Sequence, residues 1–182
     1  GKMDLVNRVQ SLVECRSKDV TKRELYIVEG KSALGSTKLG RDAEFQAIIA
    51  IRGKILNCLK ADYNQIFKSE IITDLIKVLG CGVEIKTKHN KEIAEFDLDQ
   101  LRWSKVIICT DADVDGFQIR TLLLAMFYRL MPTLLKEGKV YIAESPLYEI
   151  THKPGKSDEQ EYFAYDENEK IRILSKLGDK DV

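Results

Sequence analysis

VIICTDADVDG, residues 106–116, joins the apolar run Val106-Ile107-Ile108-Cys109 to three aspartates at alternate positions, Asp111, Asp113 and Asp115. An apolar run of this length, closed by turn residues, reads as a strand buried on both faces, as in parallel sheets. Three like charges at its mouth repel one another unless a cation or a proton offsets them. The stretch therefore asks for a metal. Its plainer alternative is a solvated turn in which one aspartate caps the helix that follows.

Working outward, Leu25-Tyr26-Ile27-Val28 is a second apolar run, closed by Glu29-Gly30, and residues 139–143 and 147–150 suggest a third and a fourth strand. Between the first two strands, SEIITDLIKVLGCG places Ser69 as an N-cap, Ile71, Ile72, Leu75, Ile76 and Leu79 on one stripe, and Gly80 as the stop. A long apolar helix is expected over residues 117–136, broken before Pro132. Residues 5–15 suggest a short helix. GKSALGSTKLGRDAEFQ reads as a glycine-rich loop leading to a helix or turn near Phe45, and residues 84–100 as a hairpin or loop. Strands alternating with helices give an α/β fold with a mostly parallel sheet covered on both faces. In such sheets the active crevice lies at the carboxyl ends of the strands. Glu29 and Asp111 both close strands there, so if the strands are neighbours, Glu29, Asp111, Asp113 and Asp115 converge. An all-oxygen donor set suits a hard cation such as magnesium working on a phosphate.

Composition sets wide bounds around this site. At 182 residues and 44% hydrophobic content the chain can bury a core, with one main domain expected. Lys plus Arg and Asp plus Glu number 29 each, so net charge argues neither for nor against nucleic acid. Cys15, Cys58, Cys81 and Cys109 lack metal-site spacing and read as reduced thiols of a cytoplasmic protein. No apolar run approaches the roughly 20 residues that span a bilayer, and no signal peptide is visible. The chain opens on Gly1 and is expected to be a piece of something longer.

Several rival motifs fail on single letters. An EF-hand loop beginning at Asp111 needs a glutamate at its twelfth position, which is Leu122. EGKS resembles the end of a phosphate-binding loop, but the required first glycine falls on Leu25. GCG at 80–82 would need a glycine at Ile85 for a dinucleotide fingerprint. His89 and His152 lie in polar segments and read as solvated surface. Charge distribution is more telling. Residues 30–61 carry Lys31, Lys38, Arg41, Arg52, Lys54 and Lys60 against only Asp42 and Glu44. A basic loop beside an acidic pocket suits a polyanion, whose backbone the cations hold while a metal acts at one phosphate. Arg120, just past the acids, would stand near the same phosphates.

ELYIVEGKSALGSTKLGRDAEFQAIIAIRGKILN (residues 24–57) and VIICTDADVDGFQIRTLLLAMFYRLMPTLLKEGKVYIAESPLYEI (residues 106–150) together resemble the TOPRIM domain of bacterial type IIA topoisomerase B subunits. The resemblance spans roughly residues 12–151. It implies a Rossmann-like TOPRIM sheet over residues 25–151, preceded by a lead-in segment (1–24) and followed by a truncated, charged C-terminal extension (152–182). It implies magnesium-dependent cleavage and religation of double-stranded DNA, with the attacking tyrosine supplied by a topoisomerase A subunit in a heterotetramer. ATP hydrolysis would be a property of the longer parent protein, and the piece alone would be inactive.

Carried onto these residues, Glu29 and Asp111 would hold the catalytic magnesium. Asp113 would join Asp111 at a second metal position, Asp115 would be an outer ligand, and Glu29 would also exchange the proton of the 3′ hydroxyl. Lys54 and Asn57 match positions that contact DNA, to which charge adds Arg52, Lys38 and Arg120. Where the family usually shows EGDSAGGS, this chain has Lys31 and Leu34, a cation in place of an anion beside the acids. Gln118 is a further departure. Two other readings stand beside this one: an autonomous TOPRIM nuclease or primase-type module, and a non-catalytic DNA-docking or assembly module.

Overall fold

The computed structural model describes residues 9–30, 40–85, 93–111, 113–145, 148–153 and 155–178. Five strands form the main sheet: β1 (Leu12–Val13), β2 (Glu24–Glu29), β3 (Gln46–Ile51), β4 (Lys105–Asp111) and β5 (Val140–Ser145), in the order β1-β3-β2-β4-β5. All neighbours run parallel except β1, which lies antiparallel along β3. The mostly parallel α/β sheet expected from the sequence is therefore present.

Alternation along the central strands splits the apolar residues between two faces. Leu25, Ile27, Ala47, Ile49, Ile51, Val106 and Ile108 join the larger cluster, whereas Val28, Ile48 and Ala50 form a smaller one opposite. Both sets are buried, so the centre of the sheet is covered on each side. The helices α1 (Tyr63–Lys68), α2 (Glu70–Leu79), α3 (Val114–Leu130) and α4 (Pro132–Lys136) all send residues into the larger cluster. In α2 the Ser69 hydroxyl accepts from the Ile72 amide, and Gly80 ends the helix in the left-handed conformation at φ 80°. α3 stops at Leu130 and α4 restarts on Pro132, as the proline requires.

Four expectations need correction. The segment 5–15 is no helix where it is described: Leu12 and Val13 pair with Ile49 and Ile48 as an edge strand, and residues 1–8 lie outside the described set. Past the turn at Phe45 comes β3, a strand not expected from the sequence. Its run AIIAI is apolar at every position, and periodicity alone cannot tell such a run from a buried helix. Helix α1 is also additional to the expected elements, although Asp62 and Gln65 form a reciprocal capping box, a signal legible in the letters. Finally, the fourth strand is β6 (Tyr148–His152), which leaves the main sheet to pair with β7 (Gln160–Ala164). The charged tail thus contains β7 and a further helix, α5 (Glu167–Leu177).

Between residues 84 and 100 the described part is loop, anchored by a parallel bridge from Val83 to Glu95 and a short 3-10 turn at Leu98–Gln100. Residues 86–92 lie outside the described set.

A polar lock fixes the register of β2 against β4. Arg23, 3% exposed, donates to Glu14 Oε1 at 2.9 Å, to the Ser17 carbonyl at 2.9 Å and to the Arg102 carbonyl at 3.1 Å. Its guanidinium lies 4.3 Å from the centre of the buried Trp103 ring, whose Nε1 donates to the Val78 carbonyl. Glu14 also accepts from Arg102 at 3.2 Å, so one carboxylate holds two arginines at the entry to the paired strands.

Candidate functional site: an acidic sheet edge beside a basic loop

β2 and β4 are direct neighbours, with Val28 level with Cys109. Glu29 therefore closes β2 abreast of Thr110, and Asp111 lies one residue further along β4. The condition set by the sequence, that the two strands adjoin, is met. Strict alternation sends Glu29 and Asp111 to opposite sides of the pleat, yet at the open edge their carboxylates interact. The Glu29 carboxyl is pushed above its ordinary value by burial first, then by the negative charges of Asp111, Asp113 and Asp115 in that order.

The chain turns tightly from β4 into α3. Asp113 is the helix N-cap, its Oδ1 accepting from the Gly116 amide at 2.7 Å. The plainer reading of an aspartate as a cap is thus true of Asp113, which leaves its second carboxylate oxygen for other partners. Asp115 sits in the first helical turn, where a negative charge favours the helix dipole. A β-carbon on Gly116 would meet the Asp111 carbonyl oxygen at 1.9 Å, so only glycine allows this approach.

The basic segment leaves from the same edge. Ile51, the last residue of β3, pairs with Glu29, so the chain leaves β3 towards Arg52 at the same edge. Lys54 and Asn57 line a hollow of about 520 Å³ together with Gln65 and Lys68, which the sequence does not single out for a site. The Asn57 side-chain carbonyl accepts from the Leu59 amide at 3.1 Å and shapes this loop. Arg52 instead lines a separate hollow with Glu70 and Asp74. Arg120 stands over the Phe117 ring, 5.2 Å from its centre, near the start of α3. Phe117 and Val114 are both largely exposed there, which the apolar character of the helix hides in the letters alone. Lys38, Lys31 and Leu34 lie outside the described residues.

The donor chemistry fits magnesium in one respect and limits it in another. All four acids offer oxygen and none brings sulfur or imidazole, which selects a hard cation. Among the described residues, however, no group of three His, Cys, Asp or Glu is drawn together closely enough to cage an ion. Magnesium commonly takes one or two carboxylates and completes its shell with water and phosphate. The open edge suits that mode and not an all-protein cage.

A parallel α/β domain with carboxylates at the strand ends, and a helix starting immediately after them, belongs to the class of folds that place ligands at the carboxyl edge. The model of the Toprim domain family matches residues 24–145, from the start of β2 to the end of β5. The chain belongs to the Toprim family. It is 44% identical over 178 residues to the B subunit of DNA gyrase from Metamycoplasma hominis, covering 98% of this chain and 25% of that protein. It is 45% identical over 170 residues to the gyrase B protein of Clostridium acetobutylicum, covering 93% of this chain and 24% of the relative. With the gyrase B protein of Chlamydia muridarum the identity is 53% over 142 residues, 78% of this chain and 17% of the other. The chain thus spans a quarter or less of the length of these curated relatives. Among the described residues no helix is long and apolar enough to cross a membrane.

Proposed function

We propose that this chain is the metal-dependent DNA cleavage and religation domain of a type IIA topoisomerase, carried on the B component of that enzyme. The reading rests above all on one observation: β2 and β4 pair in parallel, so that Glu29 and the three aspartates of the β4–α3 turn share one open sheet edge. A site that gathers like charges at an open edge is suited to a divalent cation and a phosphate.

When bound, magnesium supplies positive charge against the non-bridging oxygens of the scissile phosphate and the departing 3′ oxygen. Glu29 and Asp111 are its proposed holders, with Asp113 sharing a second position through the oxygen not used in capping and Asp115 as an outer ligand. Glu29 has a further role in the proposal. In this role its carboxylate exchanges a proton with the 3′ hydroxyl during cleavage and religation. Lys54, Asn57, Arg52, Lys38 and Arg120 hold the DNA backbone, positioning the phosphate without reading sequence.

The attacking tyrosine comes from a topoisomerase A subunit in a heterotetramer, and ATP hydrolysis from another part of the parent protein. The chain works in the cytoplasm on double-stranded DNA.

The test is magnesium-dependent cleavage by the full-length parent protein with its A partner, comparing wild type with Glu29→Gln and Asp111→Asn. Each substitution is expected to reduce cleavage by about a hundredfold or more, the scale for losing one charge-stabilising group. Undiminished cleavage in both would overturn the proposal. Cleavage by the chain without its partner would favour an autonomous nuclease.

A further inference from the structure

Thr110 is 3% exposed, and its hydroxyl has no hydrogen-bond partner among the described residues. One residue past the last β2–β4 pair, Val28 with Cys109, the parallel register carries it level with Glu29. Both residues fall on the face of the sheet that carries Leu25, Ile27, Val106 and Ile108, because side chains two apart share a face. Thr110 thus lies between Glu29 on β2 and its register partner Glu144 on β5, at the acidic edge, one residue before Asp111.

A buried hydroxyl without a partner destabilises a fold, and valine would fill the same space without that penalty. A strand also offers threonine no nearby carbonyl of the kind that satisfies it inside a helix. The other residues on this face of β4, Val106 and Ile108, are the apolar ones such a strand needs. Among the described residues the hydroxyl at 110 therefore has no partner, while it lies level with a carboxylate that needs orienting.

From this juxtaposition we infer that Thr110 is a positioning residue for Glu29: its hydroxyl donates to the Glu29 carboxylate when the acidic edge carries a divalent cation. The inference rests on the metal-site reading above. A hydroxyl carries one donor, and a ligating carboxylate keeps an oxygen able to accept it. Outer partners of this kind fix the orientation of a metal-binding carboxylate, and their loss typically weakens metal affinity by 10–100-fold.

The test uses the 182-residue chain and magnesium alone, with affinity read by titration calorimetry and stability read by melting in EDTA. Thr110→Val is expected to bind magnesium about tenfold more weakly and to melt no lower than wild type. Thr110→Ser, which restores the hydroxyl, is expected to recover most of the affinity. A purely structural threonine would show the opposite pattern, with melting changed and affinity kept. If the valine variant does not fold, Thr110→Ser against Thr110→Ala isolates the hydroxyl. Glu29→Gln separates the two ideas. If it weakens binding while Thr110→Val does not, the role of Thr110 is overturned. If Glu29→Gln binds as wild type does, the metal site itself falls, and the inference with it.

Discussion

Gly116 lies directly against the end of β4, its missing β-carbon leaving room for the Asp111 carbonyl oxygen that would otherwise be 1.9 Å away. The neighbouring Asp111 carbon and nitrogen, at 2.8 and 3.0 Å, are backbone too, so no side chain can swing aside. Gly116→Ala is expected to cost about 3 kcal/mol, the upper end for forcing atoms into a filled site. Denaturant unfolding of the chain measures it. A loss below about 0.5 kcal/mol, the range of an ordinary surface change, would show that the turn relaxes freely.

Glu29 carries a pH signature. Its carboxyl is raised in the fold, so its favourable contribution is complete below the ordinary value of 4.5 and is lost as pH rises through the higher folded value. In EDTA, Glu29→Gln is expected to stabilise the chain at neutral pH, with the advantage shrinking as pH falls towards 4.5. Unfolding curves across that range, with equal differences at every pH, would refute the charge crowding.

Cys81 offers a signature at the other end of the scale. Burial pushes its thiol from 9.0 up to about 12. The folded chain therefore keeps this proton where the unfolded chain releases it, and stability falls as pH climbs from about 9 towards 12. Cys81→Ala is expected to lose part of that alkaline slope. In the native chain at pH 8, Cys81 should resist iodoacetamide, detected by peptide mass analysis, and react once urea unfolds it.

Arg23 anchors the lock between β2 and β4. Arg23→Met keeps the stem over Trp103 but leaves Glu14 without its 2.9 Å partner and the Ser17 and Arg102 carbonyls without a donor. Glu14 is a third exposed and keeps Arg102, so the expected cost is about 2 kcal/mol, the scale for leaving buried acceptors without a donor. Hydrogen exchange should quicken first at the Ser104 amide, which donates to the Arg23 carbonyl at 2.7 Å.

Lys54 gives a prediction about DNA. In the full-length parent protein, Lys54→Ala is expected to weaken binding equally for all sequences and to lower the slope of log affinity against log salt by about 1. Fluorescence anisotropy over a salt series reads both. An unchanged slope would remove Lys54 from the phosphate contacts.

Much of this arrangement is legible in the sequence because the relevant signals are local and strong. ELYIVE and VIICTD are short apolar runs ending in acids, and only a parallel pairing of the two brings Glu29 and the aspartates to one edge. Ser69 and Gly80 mark a helix by capping chemistry that does not depend on distant residues. What the letters conceal depends on tertiary context. AIIAI at 47–51 is apolar throughout and looks the same in a buried strand or a buried helix until Ile48 and Ile49 are seen on opposite faces. Leu12 and Val13 become a strand only because β3 presents an edge to them. The three aspartates are interchangeable by spacing, and only the hydrogen bond to the Gly116 amide singles out Asp113 as the cap. Thr110 carries no signal in the letters, and only its burial reveals a hydroxyl without a partner among the described residues.

The pairing of β2 with β4 also sets a schedule. The strands that bear Glu29 and Asp111 are separated in the chain by β3, α1, α2 and the loop to Trp103, and the Ser104 hydroxyl meets the Arg23 carbonyl across 81 positions. Closing so long a segment is entropically slow, and contacts of this range form late in folding. A ribosome must therefore deliver both strands before the four carboxylates can meet. Until then the growing polypeptide carries Glu29 far along the chain from the three aspartates, and the charge trap is armed only in a molecule whose central sheet is already complete.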